Sequence, residues 1–164
     1  MRILGIDPGL ATVGWGVIDY NQGKAKVVAY GTILTSKNDT FPTRLKTIEE
    51  DLKVIIAKYK PDESALEELF FNNNVTTAIH VAEARGVIVL TLAKECGKLF
   101  EYTPLQIKQA LTGYGRAEKH QIQEMTKLLL GLDKIPRPDD AADALAIALT
   151  HSQTSKMNSV FSIK

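Results

Sequence analysis

The 164-residue chain contains a single cysteine, Cys96, so it can close no internal disulfide and build no cysteine-based metal centre. It has no run approaching the roughly 18 charge-free apolar residues of a membrane span. Its opening, Met1 to Asp7, meets an aspartate after a very short apolar stretch, unlike a secretory signal. It also has no bias of charge: 20 basic and 19 acidic residues leave +1. That balance neither suggests nor forbids a polyanionic partner, because local patches rather than totals steer binding. Repeats, low-complexity tracts and linkers are absent. What remains is 45% hydrophobic and 24% charged, an ordinary globular composition that excludes disordered, collagenous and coiled-coil chains. The length suits one domain able to bury a core without staples. The expectation is a cytoplasmic protein without a membrane segment, one domain over 1–155 and a frayed polar tail over 156–164.

Three strand-like runs open the chain: Arg2 to Asp7, Gly14 to Asp19 and Lys26 to Leu34. A Gly9-containing turn and Asn21-Gln22-Gly23 join them, and such short connections predict an antiparallel meander. Leu45, Ile48, Leu52, Ile55, Ile56 and Tyr59 then recur at helical spacing until Pro61. Ser64 to Phe71 reads as a fourth strand, and a strand reached through a helix is expected to run parallel to its sheet neighbour. From about Val75 to Lys94 comes a helix apolar on several faces, either deep in a core or shared with a partner. Lys98 to Tyr102 reads as a fifth strand. Helices are expected over Pro104 to Leu111, over Lys119 to Leu132, and from near Pro138 to about Thr150. This order predicts a layered α/β fold.

Four acids stand in apolar surroundings. Asp7 closes the first strand, Glu67 lies in the fourth, and Asp140 and Asp143 share one face of an alanine-rich helix. If the first and fourth strands are parallel neighbours, Asp7 and Glu67 sit near their carboxyl ends, the edge at which open α/β sheets bind ligands. Small alanines let the last helix approach that edge closely. Two carboxylates about 4 Å apart repel by roughly 4 kcal/mol at an effective dielectric of 20. A cluster of them must therefore take up protons or bind cations, and all-oxygen donors select hard ions. Three of the acids also have a plainer reading, while Asp143 in its alanine- and leucine-rich helix is the hardest to dismiss. Asp140 suits a helix cap, Glu67 beside Glu68 suits a solvent-facing edge, and Asp7 before Pro8-Gly9 suits a turn.

The motifs themselves resemble a known family. Gly5-Ile6-Asp7-Pro8-Gly9-Leu10 with Gly14-Trp15-Gly16 is similar to the opening of the RuvC family of Holliday-junction resolvases. Leu66-Glu67-Glu68-Leu69-Phe70-Phe71, Ala84-Arg85-Gly86, Gln106-Ile107-Lys108-Gln109-Ala110 with Ala117-Glu118-Lys119, and Asp140-Ala141-Ala142-Asp143-Ala144-Leu145 follow in the family's order. The resemblance covers Met1 to about His151. It departs slightly at Asp139, a second acid directly before Asp140, and at Leu10 to Val13.

The resemblance implies a ribonuclease H-like fold, a mixed five-stranded sheet flanked by α-helices. It implies a homodimer that nicks strands of like polarity in a four-way DNA junction, leaving 5′-phosphate and 3′-hydroxyl ends. It makes Asp7, Glu67, Asp140 and Asp143 the ligands of two Mg²⁺ ions per site, with Mn²⁺ as a substitute. Lys119 would support the transition state, Lys108 would make a second phosphate contact, and Phe70 would stack on bases at the opened crossover. Beside them in sequence, Arg116, Lys119 and His120 form a small basic cluster suited to DNA. The implied partners are the junction, a second copy, and a branch-migration motor of RuvA and RuvB type. His80 and His151 read as structural, Trp15 as core and Cys96 as a small buried hydrophobe. Rival readings are a shorter nuclease family lacking the Asp-Ala-Ala-Asp ending, an actin-like kinase needing two such domains, and a junction-binding protein that does not cut.

Overall fold

The computed structural model describes residues 1–69 and 75–154. Its strands are β1 (Arg2–Asp7), β2 (Thr12–Asn21), β3 (Lys24–Leu34), β4 (Glu63–Glu67) and β5 (Leu99–Tyr102). Its helices are α1 (Phe41–Tyr59), α2 (Val75–Glu95), α3 (Pro104–Thr112), α4 (Lys119–Leu129) and α5 (Asp139–Thr154). The strands form one mixed sheet in the order β3-β2-β1-β4-β5. The opening three are the expected antiparallel meander, and β4 runs parallel to both β1 and β5. Among the described residues no helix is long and apolar enough to cross a membrane.

Side-chain alternation along the strands divides the interior in two. Ile3 and Ala65 point toward α5 and pack with Leu145, Ala146 and Ile147, together with Ile107 of α3 and Ile122 of α4. Leu4, Ile6 and Leu66 point the other way and pack with Ile48, Leu52 and Ile56 of α1 and Ala84, Ile88 and Leu92 of α2. On this parity Asp7 follows Ile3 and Gly5 onto the α5 face, and Glu67 follows Ala65 onto the same face.

Several boundaries differ from the sequence reading. β4 ends at Glu67 rather than Phe71, β5 opens at Leu99, α4 closes at Leu129 and α5 continues to Thr154. Phe70, the proposed base-stacking residue, and the expected tail lie outside the described residues. Trp15 is half-buried and rests on Tyr59, with ring centroids 5.7 Å apart. Cys96 is also half-buried rather than enclosed, and burial pushes its thiol up to about 11, which suppresses the reactive thiolate.

Polar residues extend α5 past the expected end because they find buried partners. His151 is fully buried; its Nε2 lies 2.8 Å from Glu63 Oε2 and its Nδ1 2.7 Å from the Tyr102 hydroxyl. Burial lowers the imidazole's proton affinity, although Glu63 opposes that shift. A neutral ring then donates from Nε2–H to Glu63 and accepts from Tyr102 at Nδ1. Thr154 donates to the Tyr102 hydroxyl at 2.9 Å. This chain of contacts fastens the end of α5 to the start of β4, at the sheet edge opposite Asp7.

Glycine sets the distance between α5 and the sheet. A Cβ on Gly5 would stand 2.1 Å from the carbonyl oxygen of Ala144, and one on Gly14 would stand 2.0 Å from that of Asp140. Both obstacles are helix backbone, which cannot swing aside. Gly5→Ala is therefore expected to force α5 outward and destabilise the chain by roughly 3 kcal/mol, a fall in Tm of about 6–12 °C readable by calorimetry. An unchanged Tm would contradict this tight seating of α5.

Candidate active site

The register that pairs Ile6 with Leu66 carries Asp7 alongside Glu67 at the carboxyl ends of two parallel strands. Asp7 also pairs with Gly14 across β1 and β2, and Gly14 is the point where the backbone of Asp140 touches the sheet. α5 thus sets Asp140 over the start of β2, with Asp143 one turn further along. Strand parity separates the two glutamates: Glu67 is half-buried on the α5 face, whereas Glu68 is exposed.

The charges of these acids interact strongly. Burial, then the charges of Asp143, Glu67 and Asp140, push the Asp7 carboxyl up to about 8. Burial and Asp143 push Glu67 up to about 7, against the opposing pull of Lys119 and Lys108. Burial also raises Asp143, which Lys119 partly offsets. Near neutral pH the set cannot hold its full negative charge without a proton or a cation.

One cation is built in. Lys119 is the first residue of α4, and the Gln121 side chain fixes that turn by accepting from the Glu118 amide at 2.7 Å. Lys119 Nζ donates to Asp143 Oδ2 at 3.0 Å and lies 3.6 Å from Asp139 Oδ2. Burial would lower its proton affinity, but Asp143, Asp139 and Asp7 outweigh that and hold it above its usual value. Glu67, Asp143, Lys108 and Lys119 line one cavity of 230 Å³. Asp140 instead opens onto a separate cavity of 540 Å³. Asp139, the departure from the family pattern, is occupied by Arg137, by Lys119 and by Gln123, whose Nε2 lies 3.4 Å away. Arg116 is exposed in the turn between α3 and α4 and lines neither cavity.

Comparison with known proteins settles the family. The family model described as crossover junction endodeoxyribonuclease RuvC matches residues 3–151. The chain belongs to the RuvC family. A crossover junction endodeoxyribonuclease RuvC of Alkaliphilus oremlandii is 55% identical over the whole of both chains. That of Petrotoga mobilis is 59% identical over 92% of this chain and 93% of its own. Thermus thermophilus RuvC, solved in complex with a Holliday junction substrate, superposes with a TM-score of 0.93 at 33% identity, covering 99% of each chain. The fold is the ribonuclease H-like one expected, and the chain is a DNA endonuclease of the crossover-junction class.

RuvC chemistry implies a divalent metal, and the acids can be tested against it. As placed, no three Asp, Glu, His or Cys side chains among the described residues stand close enough to hold one ion. The four acids share an electrostatic field rather than a coordination sphere, and Lys119 fills the space beside Asp143. The donor set nevertheless fits a hard cation: it is all oxygen, its members repel one another, and three of them carry raised proton affinities that a cation would relieve.

Other charged residues take no role from the sequence, where Arg85 figures only within its motif. Glu63 is buried below the site, although its position two and four residues before Ala65 and Glu67 marks it as a member of their face. Arg85 joins α2 to Glu101 of β5, and its buried Nε has no partner among the described residues. Arg44 of α1, which no motif singled out, lines the larger cavity with His80. His80, read from the sequence as structural, is exposed there and stacked on Phe41 with ring centroids 4.5 Å apart.

Proposed function

We propose that the chain resolves four-way DNA junctions by paired, symmetric nicking of strands of like polarity. Asp7, Glu67, Asp140 and Asp143 would hold two Mg²⁺ ions, with Mn²⁺ as a substitute, and the nicks would leave 5′-phosphate and 3′-hydroxyl ends. The observation that carries the reading is the convergence of mutually repelling carboxyls and one lysine at the carboxyl edge of parallel strands. Ions bound there supply Lewis acidity, which makes water nucleophilic at neutral pH and offsets charge on the departing 3′ oxygen.

The chain's own residues do the rest. Lys119, which donates to Asp143 at the rim of the acids, would present its ammonium to the phosphate as negative charge builds. Lys108 holds the same phosphate from the adjoining wall. Phe70, at the exit of β4, stacks on bases unpaired at the crossover, and this role rests on the sequence motif alone. Arg116 serves as an outlying phosphate contact. Two Mg²⁺ ions would move the chain from +1 toward +5, so near-neutral composition does not oppose DNA binding.

A symmetric junction calls for a symmetric enzyme. On α2, Ala84, Ile88 and Leu92 are buried inward, while Ile79, Ala82, Gly86 and Leu90 form an exposed stripe on the other side. A Cβ on Gly86 would meet nothing within 4 Å, so a second helix has room to approach there. This stripe supports a two-fold homodimer. Leu90→Glu is expected to halve the mass seen by sedimentation at micromolar concentration, and a dimer of unchanged strength would remove α2 from the interface. The further partner is a branch-migration motor of RuvA and RuvB type.

The decisive test is a synthetic four-way junction incubated with the chain and Mg²⁺. Paired nicks at symmetric positions, sealable by ligase, support the reading. Tight binding without nicks under every divalent metal would leave a junction-binding protein that does not cut.

A further inference from the structure

Acids and lysines account for one flank of the site, and the other flank has its own basic residue. The 540 Å³ cavity shares no lining residue with the cavity of Lys108 and Lys119. Asp140 opens onto the first and Asp143 onto the second, so the carboxylate group lies between them. A volume of this size falls in the range of about 300–1,000 Å³ typical of ligand sites.

Arg44 is its fixed feature. Its Nε donates to Thr35 Oγ1 at 2.9 Å, and that hydroxyl donates to the Leu10 carbonyl at 2.6 Å. The Thr35 amide donates to the Ala11 carbonyl at 3.0 Å. One guanidinium donor is thereby anchored to the turn that follows Asp7. The terminal amino groups make no hydrogen bond or ion pair with any described residue. A half-buried guanidinium held at one corner, with its outer fork unpaired, is preorganised for the paired oxygens of a phosphate. Thr12, Thr77 and His80 add further polar groups around it, and Phe41 holds the His80 ring by stacking.

Asp140 decides the class of ligand. It lines the same cavity, and its negative charge repels a small free anion. A phosphate delivered as part of a long strand arrives at high effective concentration and tolerates that repulsion. We infer that Arg44, assisted by Thr77 and His80, binds a backbone phosphate of the strand being cut, beyond the scissile phosphate and on the side away from Lys108. This rests on the nuclease reading above and deepens it: the strand is gripped on both sides of the acids, and the grip at Arg44 is tied by Thr35 to the turn that carries Asp7.

The test uses the full chain and a four-way junction without divalent metal, so that binding is read apart from cutting. Arg44→Gln is expected to weaken binding roughly ten- to a hundredfold, as for a lost hydrogen bond to a charged group. It should also reduce the slope of log affinity against log salt by about one. Arg44→Lys keeps the slope. Thr35→Val, which loosens the turn but leaves the guanidinium, also keeps the slope while slowing nicking in Mg²⁺. Junctions carrying one neutral methylphosphonate at successive positions then locate the contact. One position weakens the parent chain and leaves Arg44→Gln indifferent, and His80→Ala is blunted at the same position. Inorganic phosphate should not compete at millimolar concentration. An unchanged salt slope in Arg44→Gln, or equal methylphosphonate losses in parent and variant at every position, overturns the inference. So does phosphate competition, which would mark a site for free anions. If the parent chain itself neither binds nor nicks junctions, the nuclease reading fails first and this contact fails with it.

Discussion

Asp7→Asn is expected to lower junction nicking by roughly 10³-fold or more, about 4 kcal/mol of transition-state stabilisation, while leaving junction affinity within about threefold of the parent. The reason is position: Asp7 is the acid whose charge meets those of Asp143, Glu67 and Asp140 together. The same substitution should stabilise the metal-free chain at alkaline pH. The folded-state carboxyl is raised to about 8, far above its value in the unfolded chain. Between the two values the native state holds a proton that the unfolded state has lost, so stability falls as pH rises across that window. Asn carries no proton to lose. At pH 8 without metal, Asp7→Asn is expected to melt about 4–8 °C above the parent, the equivalent of roughly 2 kcal/mol. The advantage should vanish near pH 4 and shrink in Mg²⁺, which stabilises the parent by binding its folded form. Persistent nicking by the variant, or a Tm gain independent of pH, would contradict the charge-cluster account.

Lys119→Ala should lower the nicking rate roughly 10²-fold, the size expected for removing one preorganised charge from a phosphoryl transition state. Junction affinity should change by less than about threefold. The pairs Lys119 makes with Asp143 and Asp139 lie near the surface, with the lysine side chain 57% exposed, so their loss should cost no more than about 1 kcal/mol of stability. Rate and stability are therefore separable in this variant. Without the ammonium, Asp143 also loses the group that offsets its raised proton affinity, so the variant's nicking should need higher pH or more Mg²⁺. A loss confined to affinity would reduce Lys119 to a phosphate tether.

Much of the fold can be read in the sequence because it follows from periodicity and short connections. The meander needs only Gly9, Asn21-Gln22-Gly23 and alternating strands, and the parallel β4 follows from the intervening helix. Asp7, Glu67, Asp140 and Asp143 stand out because acids are costly among isoleucines and alanines. What the sequence hid depends on pairing across the fold. The last helix is expected to end near Thr150, yet His151 and Ser152 carry it on and both are buried, His151 between Glu63 and Tyr102. β4 stops at Glu67 although Leu69, Phe70 and Phe71 continue its apolar run, since apolar character alone does not fix where a strand ends. The division of the acids between two cavities, with Asp140 on one and Asp143 on the other, depends on how α5 crosses the sheet at Gly5 and Gly14. Arg44 carries no motif, and its importance appears only when Thr35 and Leu10 are seen beneath it.

Anomalous scattering from crystals soaked in Mn²⁺ tests most directly whether these acids form a cation site. The account predicts manganese peaks between Asp7 and Asp143, at about 2.0–2.6 Å from their carboxylate oxygens, with Lys119 swung away from Asp143 and the peaks lost in Asp7→Asn. Crystals that show no manganese there, from a preparation that still nicks four-way junctions in the same Mn²⁺ buffer, would place the chemistry elsewhere on the molecule.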